Sequence, residues 1–351
     1  MSKRAVALLA LLMLAALPLG AQVLQPHAVV LLYHHVSEHT PPVTSISPGL
    51  FEQHLDYLQQ ENYQVVPLSQ LLYHLHGEGD PSQVPDRAVA ITFDDAYLSV
   101  YETAYPLLRE RNMPFTLYVA TQPLDQQWQD FFSWDNLHEM LGNGAELGGH
   151  SHSHDWLARQ QAGESDLDWQ HRVAREIDTN IERLEAETGL NVTSFAYPFG
   201  ESNRWVEQMV AQRGLYGLKQ QSGAIGVSQN PQRLPRFPMA TGFASMERLE
   251  MALDTRPLQV ADLRSDAEYS SLTFRLSGQG FRDSQLNCFS SSGIPLAPLL
   301  EGRRVELKLP ESLPGRNKVN CTAPAVDGSG DFYWFSWQWL VPRADGSWPN
   351  F

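Results

Sequence analysis

The 351-residue chain is poor in cysteine and in basic residues, and its one long apolar run lies at the N-terminus. Its 25 lysines and arginines stand against 40 aspartates and glutamates, so the formal net charge is −15. This balance argues against a nucleic-acid partner, because contacts to phosphates need a basic surface. The chain also lacks a Gly-x-Ser-x-Gly elbow and any cysteine placed for catalysis, so nothing indicates a covalent nucleophile.

The first 21 residues have the pattern of a secretory signal peptide. Lys3 and Arg4 form a basic start, residues 5–17 are too few to span a bilayer comfortably, and residues 19–21 resemble a cleavage site. The alternative is an uncleaved membrane anchor. Because no later stretch is long and apolar enough to span a membrane, we expect an exported protein, periplasmic or secreted, with no transmembrane span after cleavage.

The two cysteines, Cys288 and Cys321, both lie near the C-terminus. Exported proteins meet an oxidising compartment, so we predict a disulfide between them. Two buried free thiols are the alternative. Neither cysteine is placed to bind the metal ion considered below.

Strand and helix patterns alternate from about residue 28 to residue 218. Apolar runs such as 28–33 and 88–93 predict buried strands, and amphipathic stretches between such runs predict helices. Repeated strand–helix units imply a parallel sheet or barrel, in which ligands bind at the C-terminal ends of the strands. The first part of the chain is therefore predicted to be an α/β domain.

Beyond about residue 254 the helical periodicity fades, and short alternating runs appear among glycine, serine and proline. This pattern predicts a small all-β domain of the sandwich type. We therefore expect a signal peptide over 1–21, an α/β domain over 22–255 and a C-terminal β domain over 256–351. The segment 233–244 is assigned to the tail of the α/β domain or to its linker.

Two polar patches directly follow predicted strands: Asp94 and Asp95 after the run 88–93, and His150 to His154 after a short strand. A carboxylate and two imidazoles can hold a divalent ion and leave one position open for water, as in open catalytic zinc sites. Such an ion lowers the pKa of water, and the second aspartate can then take the proton. Alone, the Asp pair also fits a solvated turn or helix cap, and the histidines fit a polar surface loop.

Three segments together resemble the signatures of a known family. They are Thr92-Phe93-Asp94-Asp95, His150-Ser151-x-x-His154 and Ala196-Tyr197-Pro198-Phe199-Gly200, and the segments around 31–36 and 133–135 are also similar. The family is the polysaccharide deacetylases, carbohydrate esterase family 4, with the nodulation-protein-B homology fold. The resemblance covers about 29–218 and is strongest to the exported poly-N-acetylglucosamine deacetylase-like branch. It implies a distorted (β/α) barrel.

The resemblance also implies roles for individual residues. Asp94 would be the general base, and Asp95, His150 and His154 would bind the metal, which is usually zinc with cobalt or nickel as substitutes. The backbone N–H of Phe199 matches the family position that helps to hold the oxyanion, a role worth about 3–4 kcal/mol where it exists. We expect Tyr197, Pro198, Phe199 and Trp134 to line the substrate groove, although Tyr197 and Trp134 also fit core or rim positions.

The sequence departs from the family pattern at three positions. The family's third signature commonly begins with an arginine that orients the base, and Ala196 stands there. No histidine follows His171, so the usual late general acid is missing, and Ala96 replaces the usual glycine after the Asp pair. Leaving-group protonation therefore needs another donor. His34 and His35 after the first strand are candidates, and we favour His34; a structural hydrogen bond is the alternative.

The predicted β domain contains one run that is rich in aromatic residues, 331–339. In a strand, Tyr333, Phe335, Trp337 and Trp339 would share one face. That face fits either stacking on sugar rings or packing in the sandwich core.

These observations predict an exported, metal-dependent N-deacetylase that acts on an acetylated amino-sugar polymer and releases acetate and a free amine. Its partner is the acetylated polysaccharide or oligosaccharide. Two alternatives remain open: a catalytically weak glycan-binding or assembly protein on the same fold, and an O-acetyl esterase.

Overall fold

The computed structural model describes residues 25–349, so the predicted signal peptide lies outside the described residues. A curled sheet of nine strands forms the centre of the first part of the chain. Together with one small separate pair, the strands up to residue 238 are β1 (His27–Tyr33), β2 (His35–Val36), β3 (Ser45–Ile46), β4 (Gln64–Val65), β5 (Ala88–Asp94), β6 (Phe115–Val119), β7 (Ala145–Gly149), β8 (Ser194–Ala196), β9 (Tyr216–Leu218), β10 (Ile225–Gly226) and β11 (Phe237–Pro238).

The main path through the sheet is β10-β1-β5-β6-β7-β8-β9, with β4 against β5 and β11 against β1. All pairs except β1–β10 are parallel. Every residue of β5 is buried. This is expected where helices cover the outer face of a parallel sheet and the barrel interior lies against its inner face. The polar residues after β5, β7 and β8 therefore come together at one edge.

Eight helices accompany these strands in the described part of the chain. They are α1 (Pro48–Gln60), α2 (Leu68–His76), α3 (Tyr105–Glu110), α4 (Thr121–Asp125), α5 (Trp134–Leu141), α6 (Asp166–Thr188), α7 (Arg204–Gln212) and α8 (Met246–Leu253), and a π-helical turn, Val100–Ala104, leads into α3. Side chains of Ser47, Ser133 and Ser165 accept hydrogen bonds at the starts of α1, α5 and α6. Gly189 ends α6 in the left-handed conformation that glycine favours.

The segment 234–238 lies between the two ends of the curled sheet. Leu234 forms a parallel bridge with Leu218 of β9, and β11 pairs with β1 through Leu31 and Leu32. The segment that the sequence assigned to a domain tail or linker is thus part of the barrel wall. The distorted (β/α) barrel expected from the resemblance is the fold observed.

Two further sheets form the C-terminal region. Their strands are β12 (Thr255–Pro257), β13 (Val260–Ser265), β14 (Ser271–Leu276), β15 (Asn287–Ser290), β16 (Pro295–Leu296), β17 (Leu299–Glu301), β18 (Arg304–Lys308), β19 (Gly315–Pro324) and β20 (Phe332–Val341). The orders are β12-β20-β19-β15-β16 and β13-β14-β18-β17. An apolar cluster that includes Leu272, Phe274 and Val305 forms their core. Cys288 and Cys321 form the predicted disulfide between β15 and β19.

Strand β20 contacts the barrel with one face and the β core with the other. Tyr333 and Trp339 are buried in the β core, and Phe335 and Trp337 pack against it. On the opposite face, the ring of Trp334 lies 5.8 Å from that of Phe237 in the barrel. Of the two alternatives for the aromatic run, the structure favours core packing. No helix within residues 25–349 combines the length and apolar character needed to cross a membrane.

Candidate metal centre

Left-handed backbone conformations occur where the candidate ligands follow their strands. Directly after β5, Asp95 and Ala96 have φ values of 77° and 74°, and after β7 Ser151 and His154 have values of 62° and 60°. Residues with a Cβ rarely adopt this left-handed backbone conformation, which costs about 1–2 kcal/mol of conformational free energy per residue. The position of Ala96 therefore explains why the resembling family commonly has glycine there. Such strain persists only where surrounding contacts enforce the geometry.

Asp95, His150 and His154 converge on a single point. Oδ1 of Asp95 lies 3.0 Å from Nε2 of His150 and 3.0 Å from Nε2 of His154. All three potential ligand atoms lie within 4.8 Å of one another. His150 is fully buried and Asp95 nearly so, whereas His154 is partly open to solvent. One side of the cluster is therefore accessible.

Hydrogen bonds fix the orientation of His150. Its Nδ1 lies 2.7 Å from the carbonyl oxygen of Ala196, and its backbone N–H donates to Oδ1 of Asn180 at 3.0 Å. A carbonyl only accepts, so Nδ1 carries the proton and Nε2 presents its lone pair to the cluster. Metal-binding histidines are typically held in this way. The three side chains therefore fit a divalent cation with mixed nitrogen and oxygen ligands.

His152, in the same loop, is turned elsewhere. Its Nδ1 lies 2.9 Å from Oγ1 of Thr121, and its backbone N–H donates to the carbonyl of Glu176. The loop thus directs His150 and His154 inward and uses His152 to attach itself to the neighbouring helices.

Asp94 is fully buried and is paired with Arg236. The guanidinium makes two parallel hydrogen bonds, each 2.7 Å long, one to Oδ1 and one to Oδ2 of Asp94. Oδ2 also lies 4.0 Å from Nε2 of His150, so the carboxylate faces the candidate metal cluster. Arg236 additionally donates to the carbonyl of Lys219 at 3.1 Å, which fixes its own position.

Arg236 was not predicted from the sequence. It lies on the segment that joins the ends of the sheet, far along the chain from the position where the family usually has its arginine. The available signal was a single charged residue between Leu234 and Phe237 in an otherwise apolar, proline-containing run. The resemblance implies a base-orienting arginine that Ala196 cannot supply, and Arg236 is an arginine that pairs with Asp94.

The charges in this cluster shift one another's pKa values. Burial alone would raise the pKa of Asp94, but the charge of Arg236 and its hydrogen bonds outweigh burial, and the pKa of Asp94 is lowered. Burial also opposes ionisation of Asp95, yet the charge of His154 and its hydrogen bond to Asp95 hold the pKa of Asp95 well below the ordinary value. Both aspartates are therefore ionised at neutral pH, as a base and an anionic ligand require.

His34 and His35 lie at the same end of the barrel but in different surroundings. Burial lowers the pKa of His34, and the charges of Asp95 and Asp94 partly offset this effect. Nε2 of His34 lies 3.4 Å from Nε2 of Gln220. His35 instead stacks on Tyr97, with ring centroids 3.5 Å apart, and burial lowers its pKa to about 4. His34 is thus the one whose pKa both aspartates affect.

The candidate groove residues have different environments. Tyr197 is fully buried, and its hydroxyl donates to the carbonyl of Gln232, so the structure favours the core alternative for this residue. Pro198 is also buried. Phe199 is half-buried, has a φ of 58°, and its ring centroid lies 4.6 Å from that of His154. Of the groove candidates Tyr197, Pro198 and Phe199, it is Phe199 whose ring borders the cluster.

Trp134 lies at the start of α5 rather than against the cluster residues. Its Nε1 donates to Oδ1 of Asp125 at 3.1 Å, and the guanidinium of Arg183 lies 5.1 Å from its ring. Its role in substrate binding stays a prediction.

Comparisons with known proteins agree with this geometry. Residues 82–218 match the family model described as polysaccharide deacetylase. A poly-β-1,6-N-acetyl-D-glucosamine N-deacetylase of Staphylococcus aureus is 24% identical over 198 residues, which is 55% of this chain and 67% of that protein.

Two solved structures share the fold. The deacetylase PplD of Streptococcus pyogenes, in complex with acetate, has a TM-score of 0.57 at 22% identity, over 65% of this chain and 99% of that one. IcaB from Ammonifex degensii has a TM-score of 0.56 at 23% identity, over 66% and 98%. About a third of this chain lies outside each match. Residues 82–218 are therefore similar to the polysaccharide deacetylase family, and the solved structures show the same fold.

Proposed function

We propose that this protein is an exported, divalent-metal-dependent N-deacetylase of an acetylated amino-sugar polymer. The observation that carries the proposal is the convergence of Asp95, His150 and His154 beside Asp94, which Arg236 holds in a fixed orientation. The staphylococcal relative, named as a deacetylase of poly-β-1,6-N-acetyl-D-glucosamine, supports an amide in an amino-sugar polymer as the bond that is cleaved. The products are acetate and a polymer with free amines.

Asp95, His150 and His154 would hold the cation. When bound, a divalent cation supplies a Lewis acid that polarises the acetamide carbonyl and acidifies water. Zinc suits two imidazoles and one carboxylate, and cobalt or nickel accept similar ligands. Of these three residues, His154 is the one that is partly open to solvent, so the acetyl group enters from the side of His154.

Asp94 acts as the general base and takes a proton from the attacking water. Its two hydrogen bonds to Arg236 hold the carboxylate toward His150 and keep it ionised, so that it is ready to accept that proton. The backbone N–H of Phe199 donates to the oxygen that becomes negative during attack. His34 is the proposed donor of a proton to the leaving amine. Because burial lowers its pKa, His34 starts the reaction neutral, and the proton that Asp94 takes from water reaches the amine by way of His34, which leaves both side chains in their starting states.

The alternatives are weaker after the structure is known. The missing arginine was one motive for a catalytically weak glycan-binding protein, and Arg236 now occupies that role in space. The aromatic run was another motive, and it packs largely into the β core, whereas the third motive, the missing late histidine, is unchanged. An O-acetyl esterase uses the same site and differs in substrate only.

Acetate release from acetylated glucosamine oligomers by the purified protein tests the proposal. We expect turnover that is lost on thorough chelation and restored by zinc. Asp95→Asn should abolish turnover and bound metal together, because it removes the ligand that contacts both imidazoles. Asp86→Asn, at an exposed aspartate outside the site, is the matched control and should retain both properties.

Metal content per chain, measured after purification without added ions, gives a readout independent of turnover. Acetylated xylan assayed in parallel separates amide from ester preference. Turnover that survives both chelation and Asp95→Asn would exclude the proposed metal-dependent mechanism. Oligomer binding without any turnover across zinc, cobalt and nickel would instead support the glycan-binding alternative.

A further inference from the structure

The loop after β8 is attached to the C-terminal sheet by two hydrogen bonds. The carbonyl oxygen of Phe199 accepts from Nη1 of Arg316 on β19. The carbonyl oxygen of Gly200 accepts from Nε2 of Gln338 on β20, at 3.1 Å. Both bonds join residues more than a hundred positions apart in the sequence. The strands that carry Arg316 and Gln338 are adjacent and antiparallel, so the two donors share one supporting surface.

The next residue of the loop is held through Arg159. Glu201 is fully buried and accepts two hydrogen bonds from Arg159, at 2.7 and 2.6 Å. Arg159 also donates to the carbonyl of Pro349 at 3.1 Å, and its guanidinium lies 5.3 Å from the ring of Trp348. The final residues of the described chain thus contact the same support. Three consecutive loop residues are therefore fixed by side chains outside the loop.

The conformation of Phe199 makes this attachment significant. Its φ of 58° is unfavourable for a residue with a side chain. Its ring stacks on Trp156, with centroids 4.3 Å apart and planes inclined by 15°, and Arg316 holds its carbonyl. With its side chain and its carbonyl held and its φ at 58°, the direction of the Phe199 N–H is determined as well.

Gly200 brings the loop close to Gln220, which follows β9. Its φ is 69°, and a Cβ at this position would lie 2.4 Å from the Cβ of Gln220. The loop is therefore packed directly against Gln220 as well as being attached to the C-terminal sheet. Gln220 in turn contacts His34.

We propose that the C-terminal β sheet is a positioning element of the active site, and that Arg316 and Gln338 aim the N–H of Phe199 at the developing oxyanion. They are positioning residues because they act through Phe199 and Gly200. This inference deepens the proposed function and rests on it. It assigns the C-terminal region a role in catalysis that does not require it to bind sugar.

Arg316→Met should lower kcat about tenfold or more while KM changes little. The N–H interacts with charge that develops in the transition state, so a misaligned donor affects kcat rather than substrate binding. Complete loss of an oxyanion donor costs about 10²–10³ in kcat, and loss of one support should cost less. Gln338→Leu should act in the same direction, and the double variant should approach the larger value.

Arg316→Lys keeps a cationic donor and should recover most of the activity, which a merely structural defect would not do selectively. Arg304→Met is the matched control, because Arg304 is an exposed arginine on the other C-terminal sheet. Arg316→Lys and Arg304→Met should both retain the metal content and melting temperature of the wild type.

Hydrogen exchange followed by mass spectrometry tests the attachment without substrate. Arg316→Met and Gln338→Leu should accelerate exchange in the peptide that covers residues 197–203, whereas Arg304→Met should leave it unchanged. Unchanged exchange in that peptide overturns the inference whatever the activity. Accelerated exchange with a wild-type kcat overturns the catalytic role. If the wild type shows no deacetylation, the proposed function fails and the catalytic part of this inference fails with it. The exchange data then show separately whether Arg316 and Gln338 hold the loop.

Discussion

The barrel and the C-terminal region treat buried charge in opposite ways. At the strand ends of the barrel, Asp94, His150, Glu201 and Arg236 are all completely buried. Between the two C-terminal sheets the core is apolar and contains the disulfide. Within the described residues from 255 onward, Arg256 is the one charged side chain that is buried, and the other buried polar side chains are neutral. Burying charge costs free energy unless the charge is paired. This cost falls on the strand ends of the barrel rather than on the C-terminal core.

Backbone strain follows the same division. Asp95, Ala96, Ser151, His154 and Phe199 all have left-handed φ values at the barrel mouth. In the described C-terminal region, Asp262 and Tyr269 are the only residues other than glycine with positive φ. Strained backbone and buried charge therefore occur together at the mouth of the barrel, whereas the core of the C-terminal region is apolar and crosslinked.

The largest expected effect is on the buried ion pair of the barrel. Arg236→Met leaves Asp94 buried without its partner, which should lower the free energy of unfolding by about 3–5 kcal/mol. It should also lower the deacetylation rate by about 10²–10³, because the base loses its orientation. Urea unfolding and acetate release measure the two effects.

Arg256→Met is the matched control in the C-terminal region. Its partners Asp327 and Asp331 are partly exposed, so water can replace the arginine, and we expect a loss of about 1 kcal/mol with no loss of rate. Equal costs for the two variants would contradict the contrast between the regions.

The next effect concerns the disulfide. Cys288 and Cys321 are 33 positions apart, and a crosslink of that span contributes about 3–4 kcal/mol by restricting the unfolded chain. The double Cys→Ser variant should therefore unfold at a lower temperature, while the metal content of the folded protein stays unchanged. Differential scanning calorimetry with parallel metal analysis measures both. Loss of metal at temperatures where the variant is folded would show that the disulfide of the C-terminal region also affects the candidate metal site of the barrel.

Much of the fold could be predicted from the sequence because it depends on local pattern. The apolar runs 28–33 and 88–93 predicted β1 and β5, and the amphipathic stretches between such runs predicted helices. The change of pattern near residue 254 predicted the C-terminal β sheets, and the pair of cysteines predicted their disulfide. The exact domain limits, 22–255 and 256–351, remain predictions.

The candidate site was predictable only where its residues directly follow strands. Asp95, His150 and His154 come together because the C-terminal ends of parallel strands meet at one edge. Arg236 directly precedes a two-residue strand that no periodic pattern can reveal, and its pairing with Asp94 depends on tertiary closure of the barrel. The contact between Arg316 and Phe199 likewise joins two regions whose arrangement the sequence does not encode locally. The roles of the site residues, including His34 and Trp134, remain predictions.

The smallest effect in this series concerns Lys219, a buried lysine just after β9. Burial lowers its pKa from the ordinary 10.5 to about 8, although Glu207 partly opposes the shift. Between pH 8 and 10.5 the unfolded chain therefore binds a proton that the folded chain has released, so stability rises as pH rises through this window. Below pH 8 the full penalty applies, and it amounts to about 3 kcal/mol at most.

Lys219→Met should thus raise the free energy of unfolding at pH 7 and remove most of the rise between pH 8 and 10, because the variant has no charge to bury. Lys308→Met, at an exposed lysine of the C-terminal region, should change neither quantity. Urea unfolding of the three proteins at pH 7, 8, 9 and 10 makes the comparison. If the wild type and Lys219→Met have parallel pH profiles, Lys219 is neutralised by its neighbours rather than destabilised by burial. The tolerance of the barrel for buried charge would then rest on pairing alone.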